Sequence, residues 1–543
     1  MATSPLERYD GREFDVLVLG AGITGAAVAR ELVRRGWAVA VVERKDPGWG
    51  TSGRSSRLVH GDLRSLAAGR IGLVRAALAS RLELAREAPH LVRPVPFLLP
   101  LPGPRPRPAA RALPLLERLY DLLARPRRGW PAPRDLERDQ ALVLLPGLDP
   151  GLLPRRVRVF YEGVTDDRRL TVLTAVAAAR QGAVLLVRTE VVRVDPAGAG
   201  RLQVTVRDSL SGDHARARVR ALVAATGPWA DATRRQLGLP AARPLVRPTR
   251  GSHLLWPARA EAGAVLVHPA DGGILLAVPT AGGLLLGTTD VDDGQSPDGV
   301  LPPAEDLDYL SAGAARFLPG LGDPPRAGFA GVRPLVAGPG FPGRLSRRAR
   351  AAAERLEGVP LLHVVGGSLT LHRAMARRLA ALLARTIGPP RGRELPPVLL
   401  PGCPVATFAG ETAAARAAGL EPVQAAWLVR RHGTGWRAVL DTRMSGDPRR
   451  PLGEGPVPLA GEVVFAVREE SARTLADVLA RFRLPEIARD RADEDGMALD
   501  ALAILGGELG WSPERREREL DRWFRERDRA WLAPPRPPEE GPR

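Results

Sequence analysis

A glycine-rich loop near the start of the chain has the spacing of a dinucleotide-binding turn. Gly20, Gly22 and Gly25 follow a short apolar run, and Glu43 ends the next apolar run. In such a loop the first glycine turns sharply, the second lets the backbone approach a pyrophosphate, and the third lets helix and strand pack closely. The pyrophosphate rests on the N-terminus of the helix, and Glu43 accepts hydrogen bonds from ribose hydroxyls. These four residues predict a dinucleotide site.

Two further segments distinguish between the common dinucleotides. Residues 222–225 are apolar and end in Thr226-Gly227-Pro228-Trp229, and Gly366-Gly367 follow the apolar residues 361–365. Both place small residues at strand ends, where a long extended cofactor lies across the edge of a sheet. The glycine-rich loop alone does not separate nicotinamide from flavin cofactors, but these two segments favour FAD.

Apolar runs and helical periodicity outline the elements that must hold this site. Residues 14–19, 26–35 and 38–42 predict a strand, a helix and a strand, joined by default through a right-handed parallel crossover. Between residues 157 and 336, short β-like runs alternate with Gly, Pro and Asp turns, which predicts a mixed sheet. Residues 374–387 have the periodicity of a helix.

The last quarter of the chain has a different pattern. The Pro-rich residues 389–404 predict a linker. Residues 411–431 and 472–481 have helical periodicity with few strand-like runs between them, which predicts a separate helical domain over 405–533. The final residues, 534–543, are expected to be a disordered tail.

Length and charge narrow the classes of function. The 543 residues suggest about two to four domains. The net charge is +18, and nearly all of the positive charge is arginine, since Lys45 is the single lysine. Such a surface attracts phosphorylated metabolites, anionic lipid or nucleic acid. Nucleic acid is the weakest of these, because the sequence has no zinc-ligand spacing, no aromatic RNP-like motif and 4% aromatic residues.

Cysteine content and hydropathy bear on the compartment. A single cysteine, Cys403, excludes an internal disulfide framework and argues against a zinc site, so no metal is expected. The N-terminus lacks the form of a secretory signal, and no run of about 18 uncharged apolar residues occurs. We therefore expect a cytoplasmic protein whose membrane contact, if any, is peripheral.

Taken in order, the motifs resemble the FAD-dependent glycerol-3-phosphate dehydrogenase family. The first, soon after the glycine-rich loop, is Thr51-Ser52-Gly53-Arg54-Ser55-Ser56-Arg57-Leu58-Val59-His60-Gly61-Asp62-Leu63-Arg64. The others are Ala225-Thr226-Gly227-Pro228-Trp229, Gly251-Ser252-His253, Gly287-Thr288-Thr289-Asp290, Gly331-Val332-Arg333-Pro334-Leu335 and Ala466-Val467-Arg468-Glu469-Glu470. They follow the family's order from about residue 14 to residue 485.

This resemblance implies an α/β fold and a division into domains. A Rossmann-like FAD-binding domain is interleaved with a mixed-sheet substrate domain over residues 12–388, as in the glycine and D-amino-acid oxidase superfamily. The linker and a C-terminal all-helical domain complete the chain. The resemblance leaves a homodimer open.

The resemblance also implies a reaction. A hydride leaves C2 of sn-glycerol 3-phosphate for the flavin, which gives dihydroxyacetone phosphate, and the electrons pass to a membrane quinone or, in an oxidase branch, to oxygen. The alternative is a flavin oxidoreductase of the same superfamily that acts on a different polar alcohol or amine. A third hypothesis is a flavin-binding interaction module without catalysis.

Oxidation of a secondary alcohol needs a base near the hydroxyl group. His60 is the best candidate, because its pKa is near neutral and Gly61 lets its loop approach the flavin. The alternative for His60 is a structural histidine in a turn. His253 shares or replaces the role in a second hypothesis. Arg64 resembles a family active-site arginine that orients substrate or stabilises negative charge.

Guanidinium groups and hydroxyls supply the remaining contacts. Arg333 matches the family's phosphate-binding position, and Arg347 is a looser match. Thr51, Ser52, Ser55 and Ser56 are expected to line the flavin. The full set of expected FAD contacts is Gly20, Gly22, Gly25, Glu43, Thr51, Ser52, Ser55, Ser56, Val192, Thr226, Gly227, Gly366, Gly367, Ser368, Leu369 and Thr370.

Three positions depart from the family pattern. Ser368 stands where relatives have a lysine near flavin and substrate, Asp62 replaces a glycine, and Ser65 replaces a tyrosine that contacts substrate. Serine brings no positive charge, and a carboxylate beside His60 raises the affinity of that histidine for protons. These departures favour the alternative activity, in which the enzyme acts on a different polar alcohol or amine.

A basic segment offers a membrane contact. Leu113, Leu116, Tyr120 and Leu123 can share one helical face, and arginines surround it between residues 105 and 128. A basic amphipathic helix at the bilayer surface suits an enzyme that reduces a quinone. The alternative, weighed equally, is a helix packed on the protein's own core.

Overall fold

The computed structural model describes residues 4–61, 65–66, 69–99, 118–120, 122–123, 130–240, 243–267, 273–294, 296–322, 324–339, 349–403 and 405–532. Four of the predicted features lie outside these residues: Arg64, Arg347, the substituted Asp62 and the tail 534–543. Most of the basic segment 105–128, with Leu113 and Leu116, also lies outside them.

Strands and helices are mixed along the chain up to β18, and the elements that follow β18 are helices. The strands are β1 (Glu13–Leu19), β2 (Val39–Glu43), β3 (Leu58–Val59), β4 (Arg93–Leu98), β5 (Arg134–Glu137), β6 (Arg156–Val164), β7 (Val184–Val187), β8 (Thr189–Pro196), β9 (Leu202–Asp208), β10 (His214–Ala224), β11 (Val246–Trp256), β12 (Gly263–Val267), β13 (Ile274–Thr280), β14 (Gly283–Gly287), β15 (Val291–Asp292), β16 (Ala327–Val336), β17 (Arg350–Leu356) and β18 (Val359–Val365). The helices are α1 (Pro5–Tyr9), α2 (Ile23–Arg34), α3 (Ile71–Glu87), α4 (Arg138–Leu144), α5 (Asp167–Arg180), α6 (Ala230–Gln236), α7 (Ala304–Phe317), α8 (His372–Ile387), α9 (Phe408–Ala417), α10 (Pro422–His432), α11 (Trp436–Leu440), α12 (Ala460–Arg468), α13 (Leu475–Phe482), α14 (Leu484–Ile487), α15 (Arg491–Glu508) and α16 (Pro513–Asp528).

The first sheet contains the predicted strand-helix-strand unit. Its order is β17-β18-β10-β1-β2-β7, with β9 paired to β10 and β8 to β9. β1 runs parallel to both β10 and β2, and apolar side chains cover both of its faces. Helices α2, α5 and α8 pack against one face through small and branched residues such as Ala29, Leu32 and Leu379. The prediction is confirmed, although α2 begins at Ile23, directly after the loop.

The second sheet is mainly antiparallel. Its order is β15-β11-β14-β13-β12-β4-β6-β3, with β16 paired to β11 and β5 to β6. Pairing of β11 with β16 places Phe329 opposite His253 and Arg333 opposite Thr249. Since β3–β6 and β11–β16 belong to this sheet and β7–β10 to the first, the two sheets are interleaved along the chain. The predicted mixed-sheet α/β architecture is confirmed.

Every regular element named after residue 405 is a helix. These helices have their own apolar core around Leu475, Leu479 and Trp523. The helical periodicity over 411–431 corresponds to two helices. Helix α9 ends at Ala417 and α10 begins at Pro422, with Gly419 between them at φ +93°. A glycine in the left-handed region ends a helix, and proline is suited to the first position of the next one.

Buried ion pairs join the helical part to the first sheet. Arg188 at the end of β7 binds Asp477 of α13, and Arg481 of the same helix binds Asp46. Arg483 binds Asp167 at the start of α5. The side chains of all three arginines are at most 7% exposed. Arginines of the helical part therefore hold Asp46, in the loop after β2, and Asp167, at the start of α5.

Candidate active site

A cavity of about 470 Å³ lies at the carboxyl ends of β1, β2, β10 and β18. Residues directly after these parallel strands form its walls, which is where open α/β sheets bind their ligands. Twelve of the predicted FAD contacts line it: Gly20, Gly22, Glu43, Thr51, Ser52, Ser55, Thr226, Gly227, Gly366, Gly367, Ser368 and Leu369. The fold thus brings together four segments that are far apart in the chain.

The glycine-rich loop has no room for side chains. Gly20 has φ +93°, and a Cβ there would lie 2.9 Å from the carbonyl oxygen of Ala225. A Cβ on Gly25 would lie 1.9 Å from the carbonyl oxygen of Gly20. Gly25 does not line the cavity but lets α2 start close to β1, so that its first N–H groups lie at the cavity.

Glu43 is held at the edge of the cavity by backbone groups. Its Oε2 accepts a hydrogen bond from the N–H of Ala21 at 2.7 Å, and its Oε1 accepts one from the N–H of Lys45 at 2.8 Å. Burial raises the pKa of this carboxyl group. The carboxylate links the glycine-rich loop to the end of β2, as the sequence predicts for the residue nearest the ribose.

The hydroxyl groups of residues 51–56 tie one loop to several elements. Ser52 Oγ accepts the N–H of Ile23 at 3.0 Å, at the start of α2, while Thr51 donates to the carbonyl of Val332. Ser55 donates through its N–H and its hydroxyl to Asp167, at 2.8 and 2.6 Å. Because each hydroxyl has a different partner, the loop is fixed along its whole length.

The opposite wall follows β18. Ser368 lines the cavity, and its Oγ accepts the N–H of Leu371 at 3.3 Å, just before α8. Thr370 is buried rather than cavity-lining, and its Oγ1 accepts the N–H of His60 at 3.1 Å. This bond places the His60 loop against the wall of the cavity that follows β18, residues 366–370.

The expected FAD contact on β8, Val192, does not line the cavity. Val192 is 43% exposed, and Val191 lines the cavity in its place. The pairing of β8 with β9 shifts between Val191 and Arg193, so Val192 is the extra residue of a β-bulge. A bulge reverses the alternation of side chains, which the sequence alone does not reveal.

Sequence reasoning missed part of the cavity wall. Trp49 and Trp229 lie with ring centres 6.1 Å apart, and Arg44, Lys45 and Gln236 complete this end. Arg44 and Lys45 follow Glu43 directly, which is a signal that could have found them. Trp49 and Gln236 carry no such signal, because only packing brings them to the cavity.

His253 is a buried, neutral imidazole on β11. Its Nε2 lies 2.9 Å from Ser56 Oγ, and its ring stacks on Phe329 with centres 5.0 Å apart. Burial, with the charges of Arg333 and Arg57, lowers its pKa well below 6.5. Ser56 therefore faces His253 rather than the cavity, and the pair joins the flavin loop to the second sheet.

Arg333 lies over Gly251 and holds the neighbouring loop. Its guanidinium donates to Thr288 Oγ1 at 2.7 Å, to the carbonyl of Thr289 at 3.2 Å and to Asp290 Oδ1 at 3.1 Å. A Cβ on Gly251 would lie 2.1 Å from its Nη2. An incoming phosphate would have to share this guanidinium with Asp290.

His60 lies on a loop that is packed on both sides. A Cβ on the next residue, Gly61, would lie 2.3 Å from the hydroxyl of Tyr120, which accepts the N–H of Gly61 at 3.0 Å. Tyr120 in turn donates to the buried Glu162. Leu119 and Leu123 pack against the same core. Within the described part of the basic segment, these side chains pack on the protein itself.

Comparison with protein families gives two matches. Residues 15–382 match the family described as FAD dependent oxidoreductase, and residues 367–516 match the C-terminal domain of alpha-glycerophosphate oxidase.

Curated relatives are similar over most of their length. Glycerol-3-phosphate dehydrogenase 2 of Mycobacterium tuberculosis is 32% identical over 532 residues, covering 95% of this chain and 88% of the relative. Glycerol-3-phosphate dehydrogenase of Mycobacterium leprae is 33% identical over 531 residues, with the same coverage. D-erythritol 1-phosphate dehydrogenase of Brucella abortus is 32% identical over 488 residues, covering 86% of this chain and 93% of the relative.

Two solved structures share the fold. Glycerol-3-phosphate dehydrogenase from Bacillus halodurans, complexed with FAD, has a TM-score of 0.73 at 22% identity and covers 97% of both chains. Glycine oxidase from Geobacillus kaustophilus has a TM-score of 0.52 at 22% identity, covering 69% of this chain and 95% of its own.

Proposed function

Because the chain belongs to the family of FAD-dependent glycerol-3-phosphate dehydrogenases, we propose that it oxidises sn-glycerol 3-phosphate to dihydroxyacetone phosphate. The observation that carries this proposal is the similarity at 32–33% identity to dehydrogenases of that name over almost the whole chain. Residues 12–388 form the oxidoreductase region in this proposal, 389–404 the linker and 405–533 the helical domain.

FAD is the cofactor, and the cavity fits it. The glycine cradle at Gly20 and Gly25, which any Cβ would fill, leaves the N-terminus of α2 open to a pyrophosphate. Glu43 would hold the ribose hydroxyls, and the segment 366–369 would hold the flavin end. When bound, the flavin supplies the acceptor for the hydride that leaves C2 of the substrate.

The chain's own residues must bind the substrate and take up a proton. We assign His60 as the proton acceptor, positioned through the bond from its N–H to Thr370. His253 is the second candidate, because a neutral imidazole has a nitrogen that can accept a proton. Replacing each histidine by asparagine tells the two candidates apart. The rate of flavin reduction loses its alkaline plateau in the variant that lacks the base, and it keeps this plateau in the other variant.

Phosphate recognition is assigned to Arg333, with Arg347 as a further candidate, while Arg64 is proposed to orient the substrate or to stabilise negative charge. Arg333 is half-buried and already holds the loop 288–290. A dianion that replaced part of these contacts would be held by a guanidinium that is already oriented, which lowers the entropy lost on binding. Arg333→Lys is expected to raise KM for the phosphorylated substrate more than it lowers kcat.

The electron acceptor is proposed to be a quinone, reached by a peripheral contact of the basic segment with the bilayer. Among the described residues, no helix is both long and apolar enough to cross a membrane. The strongly positive chain is suited to anionic lipid. This assignment predicts that the protein binds anionic liposomes and that high salt abolishes this binding. It also predicts that the protein reduces a soluble quinone when substrate is added. A homodimer remains a further proposal.

A longer polyol phosphate is the second candidate substrate. The relative named D-erythritol 1-phosphate dehydrogenase is as similar as the glycerol-3-phosphate dehydrogenases, at 32% identity. Ser368 supplies a short, neutral side chain where relatives have a long charged one, which leaves more room beside the flavin wall. This departure favours a substrate with a longer carbon chain.

One experiment separates the two substrates. The FAD-loaded protein is mixed anaerobically with sn-glycerol 3-phosphate, with D-erythritol 1-phosphate, with glycerol or with amino acids, and the absorbance of oxidised flavin is followed. Bleaching that is fastest with sn-glycerol 3-phosphate supports the first proposal. Faster bleaching with D-erythritol 1-phosphate supports the second, and bleaching with none of these compounds contradicts both.

A further inference from the structure

A second cavity, of about 90 Å³, lies between the oxidoreductase region and the C-terminal helices. Arg57, Arg93 and Thr165 line it from one side, and Arg430 and Arg483 from the other. Among the described residues, none that lines this cavity also lines the larger one. It is therefore a site of its own, not an extension of the cofactor cavity.

Three buried polar atoms at this cavity have no hydrogen-bond partner among the described residues. They are Arg57 Nε, Thr165 Oγ1 and His90 Nε2, on side chains that are 2–4% exposed. A buried polar group without a partner costs free energy, and such groups in a native protein point to a missing ligand or water. The residues that carry all three atoms line the cavity, so a group inside it is within their reach.

The missing group must accept hydrogen bonds. Arg57 Nε is a donor by its chemistry, and the hydroxyl of Thr165 can donate. His90 Nδ1 lies 3.6 Å from Cys403 Sγ, and burial raises the pKa of that thiol to about 12, so the sulfur keeps its proton. Burial and the charge of Arg169 lower the pKa of His90 to about 3, so the ring is neutral. In the tautomer in which Nδ1 accepts from the thiol, the ring proton is on Nε2 and can be donated into the cavity.

The lining of the cavity has six arginines and two carboxylates, Asp166 and Glu486, so it is positive overall. Arg169, Arg431 and Arg483 each bind a buried carboxylate, on Glu470, Glu462 and Asp167 respectively. Arg93, which is partly buried, and Arg430, which is solvent-exposed and lies over the Phe408 ring, have no ion-pair partner among the described residues. Burial and the charge of Arg430 lower the pKa of Arg93 to about 10. Two neighbouring cations repel each other, and an anion between them would remove this cost.

We propose that this cavity binds a free tetrahedral oxyanion of the phosphate type. Arg93 and Arg430 supply the balancing charge, and Arg57, His90 and Thr165 donate hydrogen bonds to its oxygens. The volume of about 90 Å³ holds a few water molecules, or one ion of five heavy atoms. Water alone fits less well, since water molecules bring no negative charge to the arginines of the lining.

An anion at this place would join two parts of the protein. Arg57 belongs to the loop that carries Thr51, Ser52 and Ser55, and it binds Glu486 of the helical part. The N–H of Thr165 donates to the carbonyl of Arg57 at 2.9 Å. Bound phosphate is therefore expected to raise the melting temperature of the FAD-loaded protein.

The test is a calorimetric titration of the FAD-loaded full chain with inorganic phosphate. Arg93→Gln is expected to weaken binding by roughly tenfold to a hundredfold, as the loss of a charge-assisted hydrogen bond does. The matched control is Arg385→Gln, which removes one positive charge from the exposed face of α8 and should bind as the wild type does. Any phosphate that binds in the larger cavity should bind equally to both variants, because neither Arg93 nor Arg385 lines that cavity. Equal binding by wild type and Arg93→Gln overturns the proposal.

Two further arms keep the result decisive. Thr165→Val removes one donor at nearly constant volume, and it is expected to weaken phosphate binding severalfold. This variant tests the proposal independently of whether Arg93→Gln folds. Glucose 6-phosphate is titrated in parallel, and weaker binding than phosphate identifies the free ion rather than a phosphoryl group as the ligand. Crystals soaked in tungstate should show anomalous density between Arg57, Arg93 and Thr165. Its absence there, with density elsewhere, contradicts the assignment.

Discussion

Replacing Gly25 by alanine adds one methyl group at the tightest point of the cofactor loop. The added Cβ would lie 1.9 Å from the carbonyl oxygen of Gly20 and 3.0 Å from its carbonyl carbon. Since the obstacle is backbone rather than a flexible side chain, α2 must move away from Gly20. Restoring an acceptable contact needs a shift of roughly 1 Å or more, which a close-packed core resists.

The shift should act on FAD affinity more than on folding. It moves the first N–H groups of α2 away from the pyrophosphate position, and one hydrogen bond to a charged group contributes about 1.5–3 kcal/mol. Loss of one such bond raises the dissociation constant of FAD by roughly tenfold to a hundredfold. The strain of one extra methyl group costs the fold about 1–3 kcal/mol. The variant should therefore fold and lose its flavin on purification.

The assay is titration of the apoprotein with FAD, followed by quenching of flavin fluorescence. Gly496→Ala in α15 is the matched control, because a Cβ there meets no atom within 4 Å. It should keep the wild-type affinity and gain up to about 1 kcal/mol of stability, as glycine to alanine does within a helix. Wild-type FAD affinity in Gly25→Ala would refute the reasoning.

Three further substitutions test other contacts. Arg483→Met leaves the buried Asp167 without its cation, so the free energy of unfolding should fall by about 3–5 kcal/mol, and an unchanged melting temperature would contradict this. Val191→Asp should lower the FAD content of the purified protein while Val192→Asp leaves it unchanged, and equal contents would count against the bulge. Burial opposes ionisation of Glu470, but the charge of Arg169 outweighs it and lowers the pKa from 4.5 to about 2. This stabilisation is complete above about pH 4.5 and is lost as the pH falls towards 2, so the difference in melting temperature between wild type and Glu470→Gln should shrink over that range.

The sequence by itself determined the cofactor loop and the order of the elements. Gly20, Gly25 and Glu43 were found because turn chemistry and the alternation of apolar residues are local signals, readable within one strand-helix-strand unit. The mixed sheet and the helical end of the chain followed from the same kind of pattern. The helical periodicity over 411–431 did not reveal the break between two helices at Gly419, a glycine that ends a helix.

Only the tertiary structure decided which side chains meet. Arg483 binds Asp167 across 316 residues of sequence, and no local pattern encodes that contact. The bulge that turns Val191 rather than Val192 into the cavity depends on pairing with a neighbouring strand. The unpaired donors of the second cavity exist only because two parts of the chain bury them together. Burial, charge and hydrogen bonding are properties of packing, so the chemistry of the buried groups was decided by the fold.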